Sequence, residues 1–152
     1  MVHSGLEKEN VPHFQTAHAI LLLSGKYVLQ LRDNIPTISA PGQWSFFGGK
    51  IEEGETPLEA VKREVYEEIT LKPKKYTELW PIDFYSEFDK TMVRSWLFTV
   101  DVADVWVTRQ LREGKDANAF DFEELSKIEM PTAMREALIR FHNERMNKEL
   151  YA

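Results

Sequence analysis

The sequence predicts a mixed β-sheet flanked by helices, an α+β or α/β sandwich. Three observations predict it. Apolar and β-favouring segments follow the order strands, helix, strands, helix. The clearest helix, residues 57–69, is apolar along one side only. A length of 152 residues suits one domain with a real core.

Residues 1–12 are polar and read as a flexible N-terminal segment, with Pro12 marking the start of order. Residues 13–152 are expected to form the single domain. His13–Ser24 reads as a strand, Gly25-Lys26 as a turn and Tyr27–Leu31 as a second strand. Arg32–Gly42 holds two prolines and reads as a loop. Trp44–Phe47 is a short strand running into Gly48-Gly49. Leu58, Val61, Val65 and Ile69 recur at helical spacing, and Thr56-Pro57 supplies an N-cap and a first helical proline. Glu78–Glu87 and Met92–Val102 read as a hairpin across Phe88–Thr91. Weaker strands are expected near Gln110–Glu113 and Ala119–Phe122. Pro131 opens a C-terminal helix to about Asn147, with Met134, Leu138 and Phe141 on one side.

Composition removes several function classes. The net charge of −6 does not favour a nucleic-acid groove, which needs clustered positive charge. It fits a small anionic substrate if a divalent cation sits between acid and phosphate. With no cysteine, disulfides, thiolate–metal sites and cysteine nucleophiles are excluded. Residues 1–12 carry no apolar run of signal-peptide type, and Ala19–Leu23 is too short to span a bilayer. A cytoplasmic protein with no membrane partner is expected.

The chemistry concentrates in Gly48–Glu55 and Arg63–Glu68. Glu64, Glu67 and Glu68 stand at i, i+3 and i+4 and share one helix face beside the apolar stripe. Carboxylates so close repel, and a hard cation would turn that repulsion into binding. Gly48, Gly49 and Gly54 permit close approach of the preceding backbone. Arg63 can hold the carboxylates by charge-assisted hydrogen bonds. Taken singly, Glu52, Glu53 and Glu59 read as solvated charges. Arg32, after the second strand, is a candidate phosphate contact. Phe46 and Phe47, with Trp44, are candidates for stacking on a base, although aromatics beside a strand more often belong to the core. Phe120 and Phe122 share that ambiguity. His3, His13, His18 and His142 show no ligand spacing.

The same segment resembles the Nudix box: Gly, five residues, Glu, seven residues, then Arg-Glu-aliphatic-x-Glu-Glu-x-Gly-aliphatic. Gly49, Glu55, Arg63, Glu64, Val65, Glu67, Glu68 and Leu71 match. Thr70 stands in place of the late glycine that ends the helix, and Phe47 fills a position often held by proline. The likeness runs from about His13 to Phe141 and implies a Nudix-like α/β/α sandwich.

It also implies a hydrolase that cuts a diphosphate linkage in a nucleoside diphosphate derivative: a nucleoside triphosphate, a nucleotide sugar or ADP-ribose. Mg²⁺ (or Mn²⁺) would be held by Glu67 and Glu68, with Glu64 as ligand or water-orienting group and the Gly48 carbonyl as backbone ligand. Gly49, Glu55 and Arg63 would support them. Glu64, Glu67 and Glu113 are the implied catalytic residues. Glu113 is the acid from outside the box, with Asp116, Asp121 and Glu123 as rivals. The partner is a small-molecule nucleotide, and many relatives pair as homodimers. An isomerase of related fold relies on a cysteine and is set aside. A non-catalytic nucleotide-sensing or protein-binding module is the alternative, and the retained glutamates count against it.

Overall fold

The computed structural model describes residue 12 and residues 14–151. The expected flexible segment 1–12 therefore lies, except for Pro12, outside the described residues. The central strand β1 (Phe14–Leu23) gathers three neighbours. It pairs antiparallel with β2 (Lys26–Leu31) at one end and with β4 (Phe47–Lys50) at the other, and parallel with β6 (Thr91–Asp101) along its length. β2 also pairs with β3 (Trp44–Ser45) and β7 (Asp116–Phe120), and β5 (Thr77–Ser86) closes the far edge against β6. Both pairing senses occur, so the sheet is mixed. Pro81 cannot donate to a ladder. It sits in the edge strand β5, where the register shifts between Glu78 and Pro81.

Alternation along the strands sorts side chains to two faces. Ala17, Ala19, Leu21, Val28, Phe98 and Val100 meet helix α1 (Pro57–Ile69) on one face. Ile20, Tyr27, Leu29 and Leu97 meet Leu138 and Phe141 of helix α2 (Thr132–Tyr151) on the other. This is the expected sandwich. No described helix is long and apolar enough to cross a membrane.

Several boundaries move, each for a local reason. The first hairpin turns at Ser24-Gly25, where both residues take positive φ (51° and 80°), the geometry of the tight primed turn. The strand expected over Trp44–Phe47 breaks at Phe46, because the chain there leaves β2 for β1. No strand forms at Gln110–Glu113. The Gln110 N–H donates to Ile69 O (3.1 Å) and the Arg112 N–H to Glu68 O (2.8 Å), so this segment caps α1 instead. The following strand starts at Asp116 and stops at Phe120. A 3-10 turn, Phe122–Lys127, takes over behind a capping box of Asp121 and Glu124.

Helix α1 begins as expected. The Thr56 side chain accepts from the Glu59 N–H (3.1 Å), and the Glu59 carboxylate accepts from the Thr56 N–H (2.9 Å). Its buried face is Ala60, Val61, Val65, Glu68 and Ile69. Leu58, expected in the stripe, is 38% exposed. Side chains lean toward the N-terminus, so a first-turn residue overhangs the end of the packed face. Thr70 ends the helix in the left-handed conformation (φ 60°), the place a glycine would take.

Candidate active site

Glu68 anchors the site. It lies on the buried face of α1 and is 2% exposed. Its Oε1 accepts from the Gly48 N–H (2.8 Å) and its Oε2 from Gln30 Nε2 (2.9 Å). Gln30 is itself buried, because its position in β2 puts it on the α1 side of the sheet, and it also donates to Phe46 O (3.2 Å). Burial pushes the Glu68 carboxyl up to about 8. The Gln30 bond opposes this, the Glu64 charge adds to it, the Gly48 bond again opposes, and Glu113 adds further.

Arg63 organises the remaining carboxylates. It grips Glu55 with two nitrogens, Nε to Oε2 at 2.7 Å and Nη2 to Oε1 at 2.9 Å. Its Nη1 donates to Glu64 (3.0 Å) and to Glu67 (3.2 Å), and its Nη2 also reaches Lys50 O (3.1 Å). The Arg63 bond, helped by the Glu52 N–H, holds the Glu55 carboxyl down at about 2. Burial raises the Glu64 carboxyl against the pull of Arg63, and the charges of Glu67 and Glu113 raise it further. Glutamates 64 and 67 thus hang from one guanidinium nitrogen, one half-buried and one exposed.

The two glycines before α1 make room for this. A Cβ on Gly49 would lie 2.7 Å from the Glu64 carboxyl carbon. A Cβ on Gly48 would lie 2.1 Å from Ala17 O, inside β1.

A cleft of about 280 Å³ is lined by Gln30, Arg32, Asp33 and Ile38 together with Arg112, Glu113 and Gly114, and Gln30 links it to Glu68. Arg32 is fixed through Nε to Ser39 O (2.8 Å). Glu113 arrives on the segment that caps α1, and its charge is felt at both Glu64 and Glu68. Its rivals are engaged locally. Asp116 accepts from the Ala117 N–H (2.8 Å), and Asp121 caps the 3-10 turn.

The structure therefore brings together Gly48, Gly49, Arg32, Glu55, Arg63, Glu64, Glu67, Glu68 and Glu113. It does not bring Phe46 and Phe47 to a substrate. They are 1% and 0% exposed and fill the α2-side and α1-side cores respectively, so neither ring has a free face for a base. Trp44 packs edge-on to Phe120 at 4.8 Å. His18 bonds Ser95 (2.9 Å), and His142 bonds Tyr27 (2.7 Å). Among the described residues, no three acidic or histidine side chains already close round a metal-sized point. Sequence reasoning missed Gln30 and Arg112. The signal for Gln30 was a polar residue in phase with Val28 in an otherwise apolar strand. Arg112 had only its adjacency to Glu113.

Comparison with known proteins agrees with this geometry. The family model of the NUDIX domain matches residues 13–141. The NAD-capped RNA hydrolase NudC of Chromobacterium violaceum is 31% identical over 133 residues, which is 85% of this chain and 46% of that protein. The chain thus spans about half the length of that curated relative. Among solved structures, a MutT protein from Methanosarcina mazei Go1 superposes with a TM-score of 0.75. Its identity is 23%, over 90% of this chain and 97% of its own. The NUDIX domain of Shewanella oneidensis NrtR, complexed with ADP ribose, gives a TM-score of 0.70 at 20% identity. The match covers 96% of this chain and 99% of that one.

Proposed function

The chain belongs to the NUDIX domain family, the family of the Nudix hydrolases, and from that premise we propose that it hydrolyses a diphosphate linkage in a nucleoside diphosphate derivative. Nucleoside triphosphates, nucleotide sugars and ADP-ribose make up the class. The observation that carries this reading is the buried Glu68 carboxylate, set between Gly48 and Gln30 with the charges of Glu64 and Glu113 pressing on it. Carboxylates crowded in this way are short of positive charge, and their all-oxygen donor set fits a hard cation, Mg²⁺ or Mn²⁺.

Glu64, Glu67, Glu68 and the Gly48 carbonyl are the residues that would hold the cation. When bound, it supplies neutralisation of phosphate charge and acidifies a water. The chain's own groups do the rest. Arg63 keeps Glu64 and Glu67 side by side and removes Glu55 from competition. Arg32 binds a phosphate oxygen. Glu113 takes the proton of the attacking water as its oxygen bonds to phosphorus and the bridging P–O bond breaks. The phosphate or phosphosugar then leaves. Positioning and charge neutralisation supply most of the acceleration in such a transfer.

The names of the relatives support the substrate class. NAD and ADP ribose both hold a diphosphate between a nucleoside and a second group. The net charge of −6 favours a small nucleotide over RNA for this chain. A cytoplasmic location is the default reading of the sequence, and a homodimer is an option carried over from the family resemblance. A monomer mass in solution would remove the dimer.

The test is phosphate and nucleotide release from a panel of nucleoside triphosphates, nucleotide sugars and ADP-ribose, with Mg²⁺, with chelator, and with Glu67→Gln. One preferred substrate is expected, with its turnover lost in chelator. In Glu67→Gln, kcat should fall by orders of magnitude in a folded protein. No turnover of any member by folded protein would favour the nucleotide-sensing module.

A further inference from the structure

The arginines near the carboxylates differ in what occupies them. Arg63 is taken up by Glu55, Glu64, Glu67 and Lys50 O. Arg109 lies over the Trp106 ring at 4.3 Å and donates to Trp106 O. Arg32 uses Nε on Ser39 O, and its terminal nitrogens bond no other side chain or carbonyl among the described residues. Arg112 makes no side-chain hydrogen bond and no ion pair among the described residues.

The backbone of Arg112 is nonetheless fixed. Its N–H donates to Glu68 O (2.8 Å), and the Lys115 N–H donates to Leu31 O (2.8 Å). Gly114 between them has φ 80°, and a Cβ there would meet Leu31 O at 2.8 Å, so the turn requires glycine. This short segment thus spans from the end of α1 to the end of β2. It sets Arg112 in the same cleft as Arg32, next to Glu113, whose charge reaches Glu64 and Glu68. A guanidinium with no side-chain partner among the described residues, held on an anchored backbone in the lining of the same cleft as Arg32, is suited to bidentate phosphate recognition.

The lining narrows what enters. Ile38 is its one apolar side chain, and no aromatic ring is present to stack a base. A volume of about 280 Å³ lies at the small end for ligand pockets. Its two guanidiniums suit phosphate oxygens better than a nucleobase, and Asp33 and Glu113 in the same lining confine those oxygens to the arginine side.

We propose that Arg112 is a specificity-determining residue which, with Arg32, clamps the phosphate next to the one held at the glutamates. The cleft then selects for two consecutive phosphates. This rests on the hydrolase reading and goes beyond it by assigning the phosphate-chain preference to a residue outside the Nudix box.

The test uses imidodiphosphate, a non-hydrolysable pyrophosphate analogue, against orthophosphate. Binding is measured by titration calorimetry with Mg²⁺ for wild type, Arg112→Ala, Arg112→Lys and Arg32→Ala. Wild type is expected to prefer imidodiphosphate. Arg112→Ala should shrink that preference about tenfold, the scale of one charge-assisted bond. Its melting temperature should not move, because the side chain makes no hydrogen bond or ion pair among the described residues. Arg112→Lys should recover only part, having charge without the fork. In turnover, Arg112→Ala should raise KM more than it lowers kcat. An unchanged preference in Arg112→Ala, or a wild type that binds the two probes equally, overturns the clamp. If nucleotides are still hydrolysed in that event, the hydrolase reading stands without the clamp. If none is hydrolysed, the hydrolase reading falls as well.

Discussion

Replacing Glu68 by glutamine keeps its shape and removes its charge, and the structure sets the expected size of the effect. The folded protein holds this carboxyl at about 8, against an ordinary value of 4.5. The folded state therefore favours the protonated form. Its contribution to stability is full below about 4.5 and is lost as pH rises toward 8. At about 1.4 kcal/mol per pH unit, carrying this charge at pH 8 costs the metal-free fold on the order of 4 kcal/mol, an upper bound. The amide in Glu68→Gln accepts the Gly48 N–H as before. Its NH₂ faces the Gln30 NH₂, so Gln30 must turn and give up Phe46 O, a loss of about 1–3 kcal/mol. The variant should thus gain on wild type as pH rises, from less stable at pH 5 to more stable at pH 8, by at most about 3 kcal/mol there. Denaturant unfolding in chelator at the two pH values measures both. His18, held down to about 4 by burial and by the Arg32 charge, titrates alike in the two proteins, as does Glu55. The difference between the proteins therefore reads residue 68 together with its coupling to the Glu64 and Glu113 charges. A variant less stable by the same amount at both pH values would falsify the account of Glu68 as a buried, charge-starved carboxylate.

Two further substitutions separate catalysis from packing. Gly49→Ala drives a methyl to 2.7 Å from the Glu64 carboxyl, which can swing away but loses its place on Arg63. Stability should change by less than about 1 kcal/mol while kcat falls at least about tenfold; equal activity in a steady-state assay would mean Glu64 has no fixed role. Val65→Ala acts the other way, removing a fully buried side chain from the α1 core. It should cost about 1–3 kcal/mol, and an unchanged thermal melt would place the packed face of α1 elsewhere.

The sandwich and the glutamate helix were legible because their signals are local. Val61, Val65 and Ile69 keep helical spacing, and Thr56 with Glu59 forms a cap within one turn. The segment 110–113 was misread because its backbone partners, Glu68 and Ile69, lie some forty positions away and belong to a helix. Nothing in its own residues distinguishes capping a helix from joining a sheet. Phe46 and Phe47 were misplaced as base-stacking candidates for a related reason. An aromatic pair at a strand end gives no sign of what covers it, and here each ring faces a different helix. Of the site, the box residues were readable from spacing. Gln30 and Arg112 were not, since each is positioned by the chain reversal that brings β2, α1 and the 110–115 segment together.

Thr70 ends α1 in a conformation that β-branched residues resist. Its hydroxyl also accepts the Gln110 N–H at 2.8 Å. A glycine would make the turn without strain and would leave that segment one tether fewer. The threonine thus exchanges local ease for pre-organisation. Part of the conformational entropy that Arg112 and Glu113 would lose on meeting a ligand is already lost when the chain folds.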